Sequence, residues 1–533
     1  MDQRWSSKEA LLNSVSYDSV ESLQALVQLR RRLDLNFSSP NADEDEGIHI
    51  VGLWCDQDDN IELTSNEAAL SRWVTRYCPA LGFGETHGLV LADNANSTFC
   101  LLLGLGVKRD LAPQELEALG GHSFAALEHR GERNYAWVVD SDLAGGAKVA
   151  DFAFGAVRRS YDSNVLRSSG IDRGSLLLTI HCDEPALATE SFKGRRIQVE
   201  AIDVARDMVN APPNYSTPQK VSNWAEDMNV DGLKVSVIRE TAELQKFFPG
   251  TWAVGRSSVE KPAVVVWEWH GKDGDLDIEL ALLGKGVTFD AGGLSLKPHD
   301  QQFHMKTDIG GAAAVAGAVQ CIAESRLEVG VVGIAGFVEN LPGADAIRPG
   351  DVLTLANGET VEISFPDAEG RLVLSDLLVY AESNYRPRVM IDLATLTATV
   401  IAALGTRKIG LFCPDDDLAR LIGRAARGCG EPIWRLPVGK EYLKSLHSNV
   451  ATFKNMPAPG IMGILEGSAS VAASFLQTFV NDSLWAHLDI AGTVWQSESD
   501  ERGPAGATGS AVSLLFEVAR EVAGSDELQL ARP

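Results

Sequence analysis

Beyond residue 47 the chain carries short apolar runs of the strand kind: IHIVGLW, HGLVLAD, TFCLLLGLG, YAWVVD and SLLLTIHC. Several are β-branched, and helix-like segments at 113–129 and 146–160 separate them. The pattern predicts an α/β unit of about 150 residues, enough for a domain. Upstream, residues 1–45 read as a helical lead-in, Val20 to Leu33, ending in a polar loop. The stretch PALATESFKGR at 185–195 is polar and contains helix breakers, which places the domain boundary between 1–195 and 196–533. IQVEAIDVARDMVN then has amphipathic spacing, with Ile197, Val204, Ala205 and Met208 near one face. It stops at Ala-Pro-Pro-Asn-Tyr, where proline forbids continuation.

After 215 the periods alternate. KVSVIRE, PAVVVWEW, IELALLG, VGVVGIAGFVEN and RVMIDLAT read as strands; GGAAAVAGAVQCIAES, LVLSDLLVYAES and ASVAASFLQTFV read as helices. Such alternation predicts a central, mainly parallel sheet flanked by helices. The fold class is therefore α/β, with a smaller N-terminal and a larger C-terminal domain. Ligands of such sheets gather at the carboxyl ends of strands, and Lys285, Glu339 and Thr395 read as lying at or just past those ends.

Composition narrows the classes. At 533 residues two domains are the natural expectation, and 45% apolar with 23% charged residues is a globular balance. A net charge of −26 argues against a nucleic-acid or anionic-membrane surface, which needs an excess of lysine and arginine. No apolar run reaches the roughly 20 residues of a bilayer span, and the N-terminus lacks a signal-peptide core, so a cytoplasmic protein is expected. The seven cysteines show no CxxC pairing and read as buried thiols. The acidic run DEDE at 43–46 reads as a solvated loop, and His49, His87, His122, His129 and His181 as structural.

Two stretches fit neither core nor surface. Residues 281–317 set Lys285, Asp290, Lys297, Lys306 and Asp308 among glycines, and PDAEGRL at 366–372 adds Asp367, Glu369 and Arg371. Asp367 and Glu369 are two apart, which in extended or turn backbone sends both side chains to one side. Carboxylates are hard ligands for zinc, manganese or magnesium, and four sharing a pocket repel unless cations intervene. Two divalent metals match that charge count. A phosphate loop is the weaker reading, because neither glycine-rich run matches GxxxxGK[ST]. Ordinary salt bridges are the plain alternative.

GKGVTFDAGGLSLKP, MKTDIGGAAAV and DAEGRLVLSDLLVYA resemble the leucyl aminopeptidase family, the cytosolic two-metal exopeptidases. Lesser matches, ARDMVNAPPNYSTP, VENLPGADAIRPGDV, DLATLT and WAHLDIAG, extend the resemblance over roughly 200 to 515. It implies that Asp290 and Glu369 bridge both metals, that Lys285 and Asp308 complete the tighter site, and that Asp367 completes the more exchangeable one. It further implies that Lys297 polarises the scissile carbonyl and that Arg371 anchors a bicarbonate that shuttles protons. The implied enzyme cleaves leucine-like first residues from peptides, uses two zinc or manganese ions per subunit and assembles as a homohexamer. Met305 stands where the family has a hydrophobic specificity residue. Thr395-Leu396-Thr397-Ala398-Thr399 replaces the family's Thr-Leu-Thr-Gly-Ala, so Ala398 narrows whatever pocket it lines. Phe365-Pro366 replaces the usual Asn-Thr at the leaving-residue side, and Ile309 replaces a methionine. His299, His304 and His487 match no ligand position, and Trp485 and His487 are expected to pack the last strand. The competing readings are a non-catalytic DNA-binding role, which the charge opposes, and a metal-dependent phosphatase.

Overall fold

A computed structural model describes residues 33–39, 48–55, 61–63, 81–93, 96–128, 134–139, 141–162, 166, 176–460 and 465–524. Most of the expected lead-in helix, the DEDE run and His129 lie outside them. Two compact units emerge: residues 33–200 with Gln496–Gly506, and Ala201–Trp495 with 507–524.

The first unit is built on a seven-stranded sheet. Its strands are β1 (Leu33–Ser38), β2 (Ile48–Cys55), β3 (Ile61–Leu63), β4 (Thr86–Asp93), β5 (Asn96–Gly106), β6 (Asn134–Val139) and β7 (Leu176–His181). The order is β1-β7-β6-β2-β5-β4, with β3 paired to β2. The ladder from β1 to β5 is parallel, and β4 closes it antiparallel. Helices α1 (Pro113–Leu127) and α2 (Val149–Arg159) cross with backbones nearly touching. A Cβ on Gly155 would stand 1.7 Å from Glu117 O, and one on Gly120 1.8 Å from Phe152 O.

The polar stretch 185–195 is not a break. It forms the first half of α3 (Pro185–Asn210), a single helix of 26 residues. Pro185 occupies the first position, where its missing N–H costs nothing, and Gly194 is tolerated inside the helix. Polar composition marked a solvated helix face, not a linker. The unit division falls at 200/201, inside this helix.

The second unit holds an eight-stranded sheet. Its strands are β8 (Lys234–Ile238), β9 (Ala263–His270), β10 (Ile278–Asp290), β11 (Gly330–Asn340), β14 (Val389–Ala394), β15 (Ile409–Phe412), β16 (Ile433–Leu436) and β18 (Leu484–Asp489). A three-stranded sheet of β12 (Val352–Thr354), β13 (Thr360–Glu362) and β17 (Phe453–Lys454) stands apart. The large sheet runs β16-β15-β18-β14-β10-β11-β9-β8 and is parallel at its centre, from β18 to β11. Helices α4 (Pro249–Gly255), α5 (Gly310–Glu324), α6 (Gly370–Tyr385), α7 (Asp416–Cys429), α8 (Ser468–Gln477) and α9 (Val512–Gly524) flank it.

Burial on both faces explains why β10 and β11 are almost wholly apolar or glycine. α5 is nearly all small residues because it presses on the sheet: a Cβ on Gly311 would stand 2.2 Å from Leu393 O. α6 packs its Leu372, Val373, Leu374 and Leu377 into one core with Met390, Ala394, Phe412 and Trp485. At about 25 cal/mol per Å² such burial supplies the main folding drive. Among the described residues no helix is long and apolar enough to cross a membrane.

Candidate active site

Three segments converge at the carboxyl end of β10. The strand carries Lys285 and ends on Asp290, the turn ahead of α5 carries Asp308, and the turn ahead of α6 carries Asp367 and Glu369. Lys285 is inside β10, not at its end as the apolar run suggests. Pairing with β11 continues to Asp290↔Asn340, whereas pairing with β14 stops at Gly284↔Leu393. On the β14 side Lys285 is thus the first residue past the ladder. Its Nζ donates to Thr395 O, just beyond β14, at 3.1 Å.

Backbone closeness makes the convergence possible. A Cβ on Gly370 would lie 2.7 Å from Lys285 Cδ and Cε, so only glycine lets the lysine stem pass α6. Gly293, with φ of +58°, sits against Asn340, where a Cβ would meet Oδ1 at 2.7 Å.

Lys285 Nζ is 2.8 Å from Asp308 Oδ1 and 2.8 Å from Glu369 Oε1. Lys297 Nζ is 2.7 Å from Asp290 Oδ2 and also pairs with Asp367. Carboxylate oxygens of Asp290, Asp367 and Glu369 lie within 4.8 Å of one another. Lys285, Asp290, Asp308 and Glu369 are all buried. Burial alone would lower the pKa of both lysines, but the neighbouring carboxylates outweigh it and hold them cationic. Burial, reinforced by Asp290 and Glu369, pushes Asp308 up to about 7 and Asp367 up to about 8. Asp290 goes the other way: burial raises it, but Lys297 and Lys285 together bring it below the usual carboxylate range.

Four acids against two lysines leave the pocket over-supplied with anionic oxygen. Asp308 Oδ2 is buried with no hydrogen-bond partner among the described residues. Hard, unpaired, mutually repelling oxygens are the donor set divalent cations take, so these residues fit a metal centre.

Arg371, in the first turn of α6, is buried and donates through Nη1 to Asn455 O at 2.6 Å. Its Nη2 lies 3.7 Å from Met456 Sδ, and its Nε has no partner among the described residues. Burial lowers its pKa to about 10, against the support of Glu369 and Asp489. Thr395 is tied into the cluster, its Oγ1 donating to Asp308 Oδ1 at 2.6 Å. Leu396 is half-buried and its N–H donates to Asp489 Oδ1 at 3.2 Å. Ala398 is exposed at the start of a short helix, and Met305 is half-buried in the 3₁₀ turn that carries Asp308. His299 and His304 are exposed.

Residues outside the expected set hold this arrangement. Asn340 donates to Asp290 Oδ1 at 2.9 Å and to Pro366 O at 3.3 Å, joining the two acidic segments. Asn455 Oδ1 accepts from Ser364 N at 2.8 Å and Phe365 N at 3.2 Å, while its Nδ2 donates to Phe365 O at 2.7 Å. The parallel pair β13–β17, with Glu362↔Lys454, sets that asparagine beside the acidic loop. Asn340 lies in VENLPG, where its place after a long strand was a usable signal; Asn455 lies in no motif.

Residues 203–516 match the cytosol aminopeptidase family, catalytic domain. A probable cytosol aminopeptidase of Methylorubrum extorquens is 37% identical over 465 residues, covering 86% of this chain and 90% of that one. One from Gluconobacter oxydans is 39% identical over 367 residues, 68% of this chain and 73% of that one. Among solved structures, the bottromycin maturation enzyme BotP in complex with Mn superposes with a TM-score of 0.74 at 31% identity, covering 90% of this chain and 100% of that one.

Proposed function

The chain belongs to the cytosol aminopeptidase family, and on that premise we propose how its site works and what it prefers. At the level of the family it is a metal-dependent aminopeptidase acting on peptides. Within that class we infer release of apolar, leucine-like first residues, with Met305, Thr395, Leu396 and Ala398 bordering the pocket that receives them. The observation that carries the reading is the meeting of Asp290, Asp308, Asp367 and Glu369 around the buried Lys285 and the half-buried Lys297, with Asp308 Oδ2 still unpaired.

Two divalent cations, zinc or manganese, would be held by Lys285, Asp290, Asp308, Asp367 and Glu369, with Asp290 and Glu369 shared. When bound, such a pair supplies Lewis-acid polarisation and lowers the pKa of a water nucleophile. Lys297, kept cationic by its carboxylate neighbours, would donate to the scissile carbonyl oxygen as that oxygen gains charge. Arg371, a planar fork with its Nε unsatisfied, would anchor a bicarbonate that moves protons. Residues 196–533 would form the catalytic domain and 1–195 the N-terminal one, in a cytoplasmic homohexamer without a nucleic-acid partner.

Stripping the protein with EDTA and restoring Zn²⁺ or Mn²⁺ should recover hydrolysis of leucine p-nitroanilide and not of p-nitrophenyl phosphate. Metal analysis should then find about two equivalents per chain. Phosphoester turnover without amide turnover, or retention of a single ion in active material, would overturn the reading.

A further inference from the structure

Apart from the carboxylate cluster, α7 and the edge strand β16 border a cavity of about 450 Å³. Four arginines line it, Arg420, Arg424, Arg427 and Arg435, and Asp416 is the single acid among its lining residues. None of the residues assigned above to metal or peptide belongs to it. Helical spacing explains the cluster. α7 buries Leu418, Leu421, Ile422 and Ala425 against the protein. Arg420, Arg424 and Arg427 recur at i, i+4 and i+7 and share the opposite, exposed stripe. Over seven residues that stripe runs roughly 10 Å.

Gly423 leaves the floor of the cavity open: a Cβ there would meet no neighbouring group within 4 Å except Arg427 Nη1, at 3.7 Å. Arg435 enters from β16 with its guanidinium already fixed. Its Nε and Nη2 donate to Cys413 O at 3.0 and 2.7 Å, and its Nη1 donates to Asp416 Oδ1 at 2.6 Å. The chain holds 73 acidic against 47 basic residues, so four guanidiniums around one cavity run against its composition. Their acidic partners do not cancel them. Arg420 pairs with Asp417, and Arg424 lies 2.9 Å from Glu521 of α9, but neither acid lines the cavity. Both pairs are solvated and contribute little, so a ligand of higher charge displaces them at small cost. The net charge of −26 does not forbid an anion here, because exposed charges beyond about 10 Å are screened at 0.1 M salt.

The ligand chemistry follows from the lining. Guanidinium forks match phosphate oxygens in bidentate pairs. Positive charge spread over roughly 10 Å suits an extended polyanion better than a single phosphate. No aromatic ring or side-chain amide lines the cavity to read a base or a sugar. We propose that the α7–β16 cavity binds the linear polyphosphate group of a small molecule, free or carried on a nucleotide. The site is separate from the metal cluster and stands whatever reaction that cluster performs.

The test is calorimetric titration of the metal-loaded protein with inorganic triphosphate, ATP, AMP and tetra-aspartate. Wild type should bind triphosphate saturably with a Kd below about 1 mM, ATP within about 3-fold of it and AMP about 10-fold more weakly. Arg420→Ser and Arg427→Ser should each weaken triphosphate binding about 10-fold, the loss expected for one charge-assisted contact. Gly423→Glu sets a carboxylate in the cavity, suits a helix better than glycine and should abolish binding. All three variants should melt with wild type, and should one melt early the other two decide. Heat from phosphate meeting the metal ions is common to every variant and subtracts out. Absence of saturable triphosphate binding in wild type overturns the proposal, as do variants that bind like wild type. Tetra-aspartate binding as tightly as triphosphate overturns it in favour of an acidic-peptide surface, and ATP binding far more tightly overturns recognition through phosphate alone.

Discussion

The two units handle buried acid differently. In residues 33–200 three half-buried acids are met by arginine: Arg195 lies 2.5 Å from Asp151 and 3.3 Å from Glu117, and Arg159 lies 2.7 Å from Glu128. In the unit of Ala201–Trp495, Asp290, Asp308, Asp367 and Glu369 share only Lys285 and Lys297 at contact distance. Both sheets are parallel at the centre, so strand direction does not separate them. The ratio of acid to base does. Matched charges fasten helices, whereas surplus carboxylate at strand ends makes a place for cations.

Asp290→Ala should break the contrast most completely. It removes a carboxylate that faces Lys297 and Asn340, so metal should be lost and turnover should fall roughly 10³-fold, as metal analysis and the anilide assay would show. Lys297→Ala comes next: both metals should stay, while kcat falls by about 10²-fold with little change in KM. Retained metal in the first variant, or full rate in the second, would mean the surplus acid has another purpose.

Paired glycine substitutions sharpen the same comparison at smaller scale. Gly370→Ala should push the Lys285 stem aside, lowering metal affinity about 10-fold in a competition titration while costing about 1–3 kcal/mol of stability. Gly155→Ala should cost stability in the other unit, since its Cβ would collide with Glu117 O, yet leave metal affinity untouched.

The smallest effect is one of pH. Burial outweighs Arg195 and raises Glu117 from its ordinary 4.5 to about 7. The folded form then binds a proton the unfolded form releases, so this contribution to stability is full below about pH 4.5 and fades as pH rises through 7. Glu117→Gln should flatten that slope, changing the melting temperature by about 2–4 °C across the window.

Much of the second unit was legible in the chain. β9, β10, β11, β14 and β18 are apolar because both faces are covered, and α5, α6 and α8 follow as periodic runs. The metal-ligand candidates stood out because acids among glycines suit neither core nor surface. α7 has no counterpart among the expected helices although DDLARLIGRAARGC has helical spacing and an Asp415 cap, its side chain accepting from Leu418 N at 2.8 Å. The first half of α3 is not distinguishable from a linker in the sequence, because solvated helix and linker share a polar composition.

Local chemistry thus determined which residues could bind cations and which segments could be strands, since hydrophobic period and ligand type are properties of short stretches. Tertiary structure alone decided that Lys285 sits inside a strand rather than at its end, because that depends on how far β11 and β14 each extend. It also decided that Asn455 braces a loop some 90 residues earlier and that Asp392 faces His487, 95 positions away. Register and close backbone approach between distant segments are set by packing, and no local pattern encodes them.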